Sequence, residues 1–389
     1  MQLNATSTLP TDSTNGTLVG RVWRPDVAGP SVVAIRADGV HDISRSFPTM
    51  SDLCEMSDPA AAVATVSGEK LGDFAAILAN SAEAGCKATQ PWFLAPIDLQ
   101  AIKAAGVTFA ISLLERVIEE QARGAPERAA AARAEVEAAL GGAVAGIKPG
   151  SPEAMELKKL LQAKGLWSQY LEVGIGPDAE IFTKSQPMSA VGTGASIGLL
   201  PASQWNNPEP EVVVVVNSKG EIVGATLGND VNLRDIEGRS ALLLGKTKDN
   251  NASAAVGPFI RLFDRTYSLD DLRRAQVTLT VEGADGFALE GVSAMEKISR
   301  DPTALVREMM GPHHQYPDGA VLYLGTMFAP IKDRDAPGQG FTHHEGDVVT
   351  IASEKLGALV NVVTTCDRAP PWTFGTAALM RNLVQRGLL

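Results

Sequence analysis

The sequence predicts an α+β fold that is mainly β, with a small mixed domain first and a larger β-rich domain after it. From about Leu171 to the C-terminus, short Val- and Ile-rich runs alternate with Gly, Asn, Asp and Pro turns, a pattern typical of β-strands. Residues 115–168 are instead rich in Ala, Glu and Arg, which favour helix. The 389 residues are enough for two domains.

These patterns divide the chain into four segments. Residues 1–16 are rich in Ser, Thr and Asn and are expected to form a flexible tail. Residues 17–97 mix strand patterns, such as "SVVAIRADGVHDIS", with the helical stretch "EKLGDFAAILANSAEAG", which predicts a small α/β domain. Residues 98–389 form the main domain, and residues 115–168 are a helical segment within it.

The helical segment carries clear end signals. In "SPEAMELKKLLQAKG", Ser151 is a helix N-cap, Pro152 occupies the first helical position and Gly165 ends the helix. The stretch "GGAVAGIKPG" at 141–150 interrupts the helical pattern and is predicted to be a hinge.

Composition excludes several classes of partner. A net charge of −11 argues against nucleic acid and against an anionic membrane surface. No apolar run is long enough to span a bilayer, and the start of the sequence lacks the basic and apolar regions of a secretory signal. The three cysteines are scattered without C-x-x-C spacing, which is typical of free thiols. We therefore expect a cytoplasmic protein.

Three carboxylates converge in "NPEPEVVVVVNSKGEIVGATLGND", residues 207–230. Side chains alternate along a strand, so Glu209 and Glu211 project from one face. The turn signal at 217–220 makes the segment a β-hairpin, and pairing then places Asp230 beside Glu209 at the open end.

Converging carboxylates repel one another and are costly to bury without a counter-charge. A hard divalent cation removes that cost, and oxygen-only ligands favour Mg²⁺, Mn²⁺ or Ca²⁺. The alternative is a hairpin end whose acids face water.

In the simplest pairing register of the two hairpin strands, Glu211 is predicted to lie opposite Thr226, and Glu209 opposite Gly228.

The motifs that surround this hairpin resemble those of the fumarylacetoacetate hydrolase superfamily. Their order is Glu209-Pro210-Glu211, Asn229-Asp230, Arg234-Asp235, Gly245-Lys246-Thr247 and Gly257-Pro258. The resemblance covers about residues 94–364. It implies a β-roll core around a divalent metal, Mg²⁺ first and Mn²⁺ as the alternative, in a homodimer. Gly-Lys-Thr is not a nucleotide-binding P-loop, because Ser240 stands where that motif needs glycine.

One motif departs from the hydrolytic members, which carry G-x-N-Y-x-x-H-x-x-E. Here the matching segment begins at Gly106 and ends at Glu115, with Ser112 in place of the histidine. A serine without its own base cannot activate water at neutral pH. The paired histidines at 313–314 and 343–344 lie in polar loops and are expected at the surface.

The same superfamily includes 2-keto-3-deoxy sugar-acid dehydratases, whose chemistry needs no hydrolytic water. In these enzymes the metal binds the C1 carboxylate and C2 ketone of a 2-oxo acid and stabilises an enolate. A base removes a C3 proton and the C4 hydroxyl leaves; tautomerisation of a 2-keto-3-deoxypentonate product gives 2,5-dioxopentanoate. Residues 115–168 resemble the helical lid of this branch.

The resemblance implies three groups of site residues. The metal ligands are Glu209, Glu211 and Asp230. The catalytic residues are Lys246 as base or enolate stabiliser, Glu115 as the acid that assists hydroxide departure, and Ser112 as a contact to a substrate hydroxyl. The substrate-binding residues are Arg234 and Thr326 at the polar ends of a small 2-oxo sugar acid, and Glu237, which either makes the pocket more acidic or faces solvent.

Other functions stay open at this point. A C–C hydrolase of an acylpyruvate or a 2,4-diketo acid would need a base from elsewhere in the fold. Oxaloacetate decarboxylation uses the same metal chelate and no histidine. A metal-dependent sugar-acid binding protein would share the ligands but would need neither Lys246 nor Glu115.

Overall fold

The computed structural model describes residues 3–140, 144 and 146–389. The strands are β1 Leu18–Arg24, β2 Gly29–Arg36, β3 Gly39–Asp42, β4 Glu69–Gly72, β5 Trp92–Leu94, β6 Ala101–Gly106, β7 Glu180–Ser185, β8 Ser196–Leu199, β9 Asn206–Asn207, β10 Pro210–Val216, β11 Ile222–Asp230, β12 Asn232–Leu233, β13 Ala254–Leu262, β14 Gln276–Glu282, β15 Ala288–Ala294, β16 Ala320–Tyr323, β17 Val348–Ser353 and β18 Gly357–Thr365. The α-helices are α1 Ala5–Thr8, α2 Met50–Cys54, α3 Pro59–Thr65, α4 Phe74–Asn80, α5 Ala110–Ala122, α6 Ala129–Leu140, α7 Pro152–Ala163, α8 Gln169–Ile175, α9 Arg234–Glu237, α10 Leu244–Lys248, α11 Leu269–Arg273, α12 Pro302–Met309 and α13 Thr376–Gln385.

A large mixed sheet runs through the molecule in the order β4-β3-β2-β1-β13-β11-β10-β16-β6-β7, with β5 paired to β1. Strand β1 pairs antiparallel with β13, so strands from residues 17–97 and strands from the later part of the chain share one sheet. A second sheet has the order β15-β14-β17-β18-β8. The chain is thus mainly β, as the sequence predicts, while the domain boundary at residue 97 stays a prediction.

The valine run of β10 is buried on both faces of the large sheet. Val212, Val214 and Val216 pack in the core between the two sheets, whereas Val213 and Val215 pack against the other face, which also includes residues of β1, β2 and α2. A strand covered on both sides needs no polar alternation, which explains the continuous apolar run. The site described below lies at the end of this strand.

The predicted hairpin is present, but its register differs. Strand β10 pairs with β11, and Glu211 lies opposite Gly228 and not opposite Thr226. Two shifts of one residue combine: Val216 pairs with Ile222, one residue later than in the simplest register, and an irregularity between Val215 and Val216 adds the second shift. Extra residues of this kind leave little trace in a pattern of hydrophobicity.

Helices α5 to α8 form a cluster with its own apolar core, which includes Leu113, Val117 and Leu161. Ser151 caps α7 by accepting the Ala154 N–H at 3.2 Å, and Gly165 after the helix has a φ of +68°, so both predicted end signals are confirmed. Residues 141–143 and 145 of the predicted hinge lie outside the described residues.

The beginning of the chain is packed, in contrast to the predicted flexible tail. The Asp12 carboxylate accepts hydrogen bonds from Arg261 at 2.7 Å and from Lys355 at 2.9 Å, and the Thr11 N–H donates to the Glu354 carbonyl at 2.9 Å. Arg261 is fully buried and needs this counter-charge. Composition alone could not reveal a partner about 250 residues away.

Within the described residues, no helix combines the length and the apolarity needed to cross a membrane.

Candidate metal centre and its cavity

Three carboxylates meet at the end of β10 and β11. Glu209, Glu211 and Asp230 are 4%, 1% and 1% exposed, and one oxygen from each lies within 4.8 Å of the others. Glu209 directly precedes β10, and its carbonyl accepts the Asp230 N–H at 3.0 Å, which holds the two strands together at this point. These acids do not face water, so the solvated alternative is wrong.

The donor set fits a hard divalent cation. All three donor atoms are carboxylate oxygens, which are ligands that Mg²⁺ and Mn²⁺ prefer. One Glu211 oxygen accepts the Gly325 N–H at 2.6 Å. Burial, together with the charges of Asp230 and Glu209, holds the pKa of Glu211 well above its usual range. A bound cation would relieve this repulsion, so the cluster is suited to a metal ion.

Three cationic side chains surround the carboxylates. The Lys248 Nζ lies 2.9 Å from Glu209 Oε2 and 3.2 Å from Asp230 Oδ2, and Arg116 of α5 contacts the other Glu209 oxygen. The Lys184 Nζ lies 2.9 Å from Asp230 Oδ1. Burial alone would raise the pKa of Asp230, but the charges of Lys184 and Lys248 lower it below its usual value.

A small cavity opens beside the carboxylates. Its lining residues are Ala105, Gly106, Val107, Ser112, Arg116, Glu180, Phe182, Glu209, Glu211, Asp230, Glu237, Lys248 and Thr326. Burial, followed by the charge of Glu237, raises the pKa of Glu180 to about 7. A carboxyl with this pKa is able both to accept and to donate a proton near neutrality, which is what acid–base catalysis requires.

Strand β7 supplies site residues that the sequence analysis missed. Glu180, Phe182 and Lys184 alternate along the strand and share one face. The first two line the cavity, and Lys184 contacts Asp230. The Glu-x-Phe-x-Lys alternation indicates a strand with one partly polar face. The sequence alone does not show that this face meets the carboxylates, because β6, the partner strand of β7, and the hairpin of β10 and β11 lie elsewhere in the chain.

Besides the three carboxylates, three more of the predicted site residues line the cavity, namely Ser112, Thr326 and Glu237. Ser112 donates a hydrogen bond from Oγ to the Phe109 carbonyl at 2.9 Å. Thr326 follows β16, and its Oγ1 accepts the Phe328 N–H at 3.3 Å. Glu237 lies 3.8 Å from the Lys248 Nζ and does not face solvent, with 4% of its surface exposed.

The structure places Lys248, and not Lys246, in the cavity. The Lys246 side chain is exposed, while Lys248 is 2% exposed and contacts two of the three carboxylates. Both residues belong to α10, where a separation of two residues turns the side chain by about 200° around the helix axis. The expected position of Lys246 in the pocket is therefore corrected to Lys248. Burial would lower the pKa of Lys248, but nearby carboxylates, Asp230 first, raise it above its usual value.

Glu115 and Arg234 do not line the cavity either. Glu115 forms a bidentate ion pair with Arg133 of α6, with one contact at 2.8 Å, so its carboxylate is paired outside the cavity. The Arg234 Nε donates to Asn207 Oδ1 at 2.7 Å, and its guanidinium lies 5.4 Å from the centre of the Trp205 ring. Both residues hold elements together around the site.

All five histidines belong to the described residues, and none lines the cavity. His343 is buried, and its Nδ1 lies 3.2 Å from an Asp347 carboxylate oxygen, so the expectation that both histidine pairs lie at the surface is wrong for this residue. His313 and His314 are exposed, as expected.

Comparison with known proteins gives both sequence and structural relatives. The chain is 32% identical over 196 residues to a probable 2-keto-3-deoxyxylonate dehydratase of Haloferax volcanii, covering 50% of this chain and 64% of that one. It is 32% identical over 187 residues to a 2-dehydro-3-deoxy-D-arabinonate dehydratase of Saccharolobus solfataricus, covering 47% and 58%. These alignments span less than two thirds of each relative.

A solved structure has the same fold. It is described as 2-keto-3-deoxy-D-arabinonate dehydratase complexed with magnesium and 2,5-dioxopentanoate, with a TM-score of 0.63, 20% identity, and coverage of 90% of this chain and 99% of that one. This likeness confirms the predicted fold class. The family model for the fumarylacetoacetate hydrolase C-terminal region matches residues 172–364, which include the three carboxylates and Lys248. Over residues 172–364, the chain thus matches the fumarylacetoacetate hydrolase family.

Proposed function

We propose that this protein is a divalent-metal-dependent dehydratase that converts a 2-keto-3-deoxypentonate to 2,5-dioxopentanoate. The observation that carries the proposal is a single cavity that joins three buried carboxylates to a titratable acid, Glu180, with no imidazole in its lining. Two relatives at 32% identity are named as dehydratases of this substrate class. We further propose Mg²⁺ as the native metal, and a cytoplasmic homodimer as the active form.

The metal centre would consist of Glu209, Glu211 and Asp230. A cation bound there supplies a Lewis acid that stabilises negative charge on the 2-oxo group of the substrate. The Lys248 ammonium is positioned on the cavity side of the carboxylates and adds a second positive charge. It therefore stabilises the enolate that forms when the C3 proton is removed.

Glu180 is the group best suited to move the proton. In its ionised form, the carboxylate takes a proton from C3, and the C–H electron pair forms a C2–C3 double bond with the negative charge on the C2 oxygen. As the C2 carbonyl forms again, this electron pair forms the C3–C4 double bond and the C4–O bond breaks. The departing hydroxide receives the proton from Glu180, which releases water and restores the carboxylate. Tautomerisation of the resulting 5-hydroxy-2-oxopent-3-enoate moves one C5 hydrogen and the C5 hydroxyl hydrogen to C3 and C4 and gives 2,5-dioxopentanoate. Ser112 and Thr326 line the same cavity and contact substrate hydroxyls. Glu180 thus takes the acid role first expected of Glu115.

C–C bond hydrolysis is less well supported by this cavity. The residue at the position of the hydrolytic histidine is Ser112, whose Oγ donates to the Phe109 carbonyl, so Glu180 would have to activate the attacking water without an imidazole beside it. Serine bound in this way has no base to which it can pass a proton. Dehydration requires no attacking water.

The proposal is tested with a panel of substrates. The Mg²⁺-loaded protein is incubated separately with 2-keto-3-deoxypentonates, acylpyruvates, 2,4-diketo acids and oxaloacetate, and kcat/KM is measured for each. We expect the highest value for a 2-keto-3-deoxypentonate and loss of this activity in EDTA. A higher kcat/KM for a diketo acid or for oxaloacetate would show that C–C hydrolysis or decarboxylation is the main reaction. Binding of a sugar acid without turnover would show that the protein is a metal-dependent sugar-acid binding protein.

The pKa of Glu180 also predicts a pH effect on stability. The folded pKa of about 7 is raised above the ordinary 4.5, so the folded state binds a proton more tightly than the unfolded state between these pH values. Glu180 should therefore make the wild-type protein lose about 1–3 kcal/mol of stability as pH rises from about 4.5 to 7, and Glu180→Gln should lack this contribution. Urea unfolding of both metal-free proteins at pH 5 and pH 8 measures the difference. Parallel behaviour of the two proteins would show that Glu180 has an ordinary pKa.

A further inference from the structure

Lys184 is a fully enclosed lysine that the proposed reaction does not use. Its side chain is 0% exposed, and it is not among the residues that line the cavity. A buried ammonium is costly unless it is paired and hydrogen-bonded. The groups that contact the Lys184 ammonium therefore indicate what this side chain stabilises.

The Lys184 ammonium contacts two parts of the candidate site. Its Nζ lies 2.9 Å from Asp230 Oδ1 and donates to the Lys248 carbonyl at 2.8 Å. It also lies 3.4 Å from Ser253 Oγ, which itself donates to the Lys248 carbonyl at 2.6 Å. One side chain thus joins a candidate metal ligand to the end of α10, where Lys248 is located.

Asp230 has a different lysine on each of its oxygens. Oδ1 faces Lys184, and Oδ2 faces Lys248 at 3.2 Å. Lys248 lines the cavity, whereas Lys184 lies behind the carboxylates on β7. A cation or substrate that enters the cavity approaches the Oδ2 side, so Lys184 is the partner that can keep Asp230 oriented when the cavity is filled.

We propose that Lys184 is a positioning residue that orients Asp230 Oδ2 toward the metal and fixes the backbone of Lys248 at the cavity. This inference rests on the proposed metal-dependent function. Without the ammonium, Oδ1 of a buried carboxylate loses its partner, and the side chain is expected to turn toward Lys248. Partners that orient metal ligands typically change metal affinity or activity by about 10–100-fold when removed.

The test compares Lys184→Met with Lys103→Met. Lys103 lies on β6, which pairs with β7, and its Nζ donates to Thr183 Oγ1 at 2.8 Å outside the site, so it is a matched control. Mn²⁺ binding to the EDTA-treated, dialysed full chain is measured by isothermal titration calorimetry. We expect Kd to rise about 10–100-fold in Lys184→Met and to stay within about twofold of the wild type in Lys103→Met.

Loss of a positive charge by itself would tighten Mn²⁺ binding. Equal or tighter binding by folded Lys184→Met would therefore overturn the positioning role. Lys184→Leu, which also lacks a donor, provides the same test if the methionine variant does not fold, and binding as tight as in the wild type would again overturn the proposal. If the wild-type chain itself binds no Mn²⁺, the proposed metal-dependent function is wrong, and this result is distinct from a failure of the role proposed for Lys184.

Discussion

Replacement of Lys248 by methionine is expected to lower kcat for a 2-keto-3-deoxypentonate by about 10²–10⁴-fold, the usual cost of removing a positioned catalytic group. Lys248 is buried, lines the cavity and lies within 3.2 Å of Glu209 and Asp230. Its ammonium and the Arg116 guanidinium are the two cationic groups among the described residues of the cavity lining, and we assign the ammonium to the enolate. Steady-state kinetics at saturating Mg²⁺ measure the effect.

Lys246→Met provides the comparison, because it removes a lysine from the same short helix. The Lys246 side chain is exposed, so this variant should keep kcat within about twofold of the wild type, as surface substitutions away from special features generally do. Circular dichroism confirms that both variants are folded. A large loss in Lys246→Met with a normal Lys248→Met would restore the assignment suggested by the Gly-Lys-Thr motif.

Glu211→Gln should weaken metal binding and lower turnover together. The substitution keeps the size of the side chain but removes a charge from the three carboxylates that hold the cation. We expect Mg²⁺ affinity to fall by at least about 10–100-fold, since a direct ligand should matter no less than the groups that orient ligands. Calorimetric titration with Mg²⁺ and a kinetic assay in EDTA, with and without added Mg²⁺, check this result.

Glu221→Gln is the matched control for this experiment. Glu221 lies at the turn of the same hairpin, is exposed, and accepts a hydrogen bond from Asn217 Nδ2 at 2.7 Å. Its loss should leave Mg²⁺ binding unchanged. Normal Mg²⁺ binding by Glu211→Gln would show that the three carboxylates are not the metal site.

The carboxylate cluster could be predicted from the sequence because its signals are local. The spacing of Glu209 and Glu211, the turn at 217–220 and the following apolar strand determine which acids meet at the end of a hairpin. The pairing register could not be predicted in the same way, because the irregularity between Val215 and Val216 falls within a continuous run of valines, where no alternation of hydrophobicity could reveal it. The end of the hairpin tolerates this shift, since the Asp230 N–H still bonds to the Glu209 carbonyl.

The surrounding charges were harder to predict because they come from distant parts of the chain. Glu180 and Lys184 reach the cluster through β7, at the far edge of the large sheet from β4. Lys248 was missed for a different reason: the motif suggested a lysine two residues earlier, and only the helical geometry of α10 shows which one points inward. Glu115 was placed wrongly because its pairing with Arg133 depends on how α5 packs against α6.

Product identity tests the central claim most directly. The Mg²⁺-loaded wild-type protein is incubated with a uniformly ¹³C-labelled 2-keto-3-deoxypentonate, and the products are identified by ¹³C NMR. The proposed dehydration predicts 2,5-dioxopentanoate, with all five labelled carbons in one molecule and an aldehyde or its hydrate at C5. Labelled pyruvate together with a separate two-carbon product, or unchanged substrate with a metal-loaded protein, would contradict the proposal.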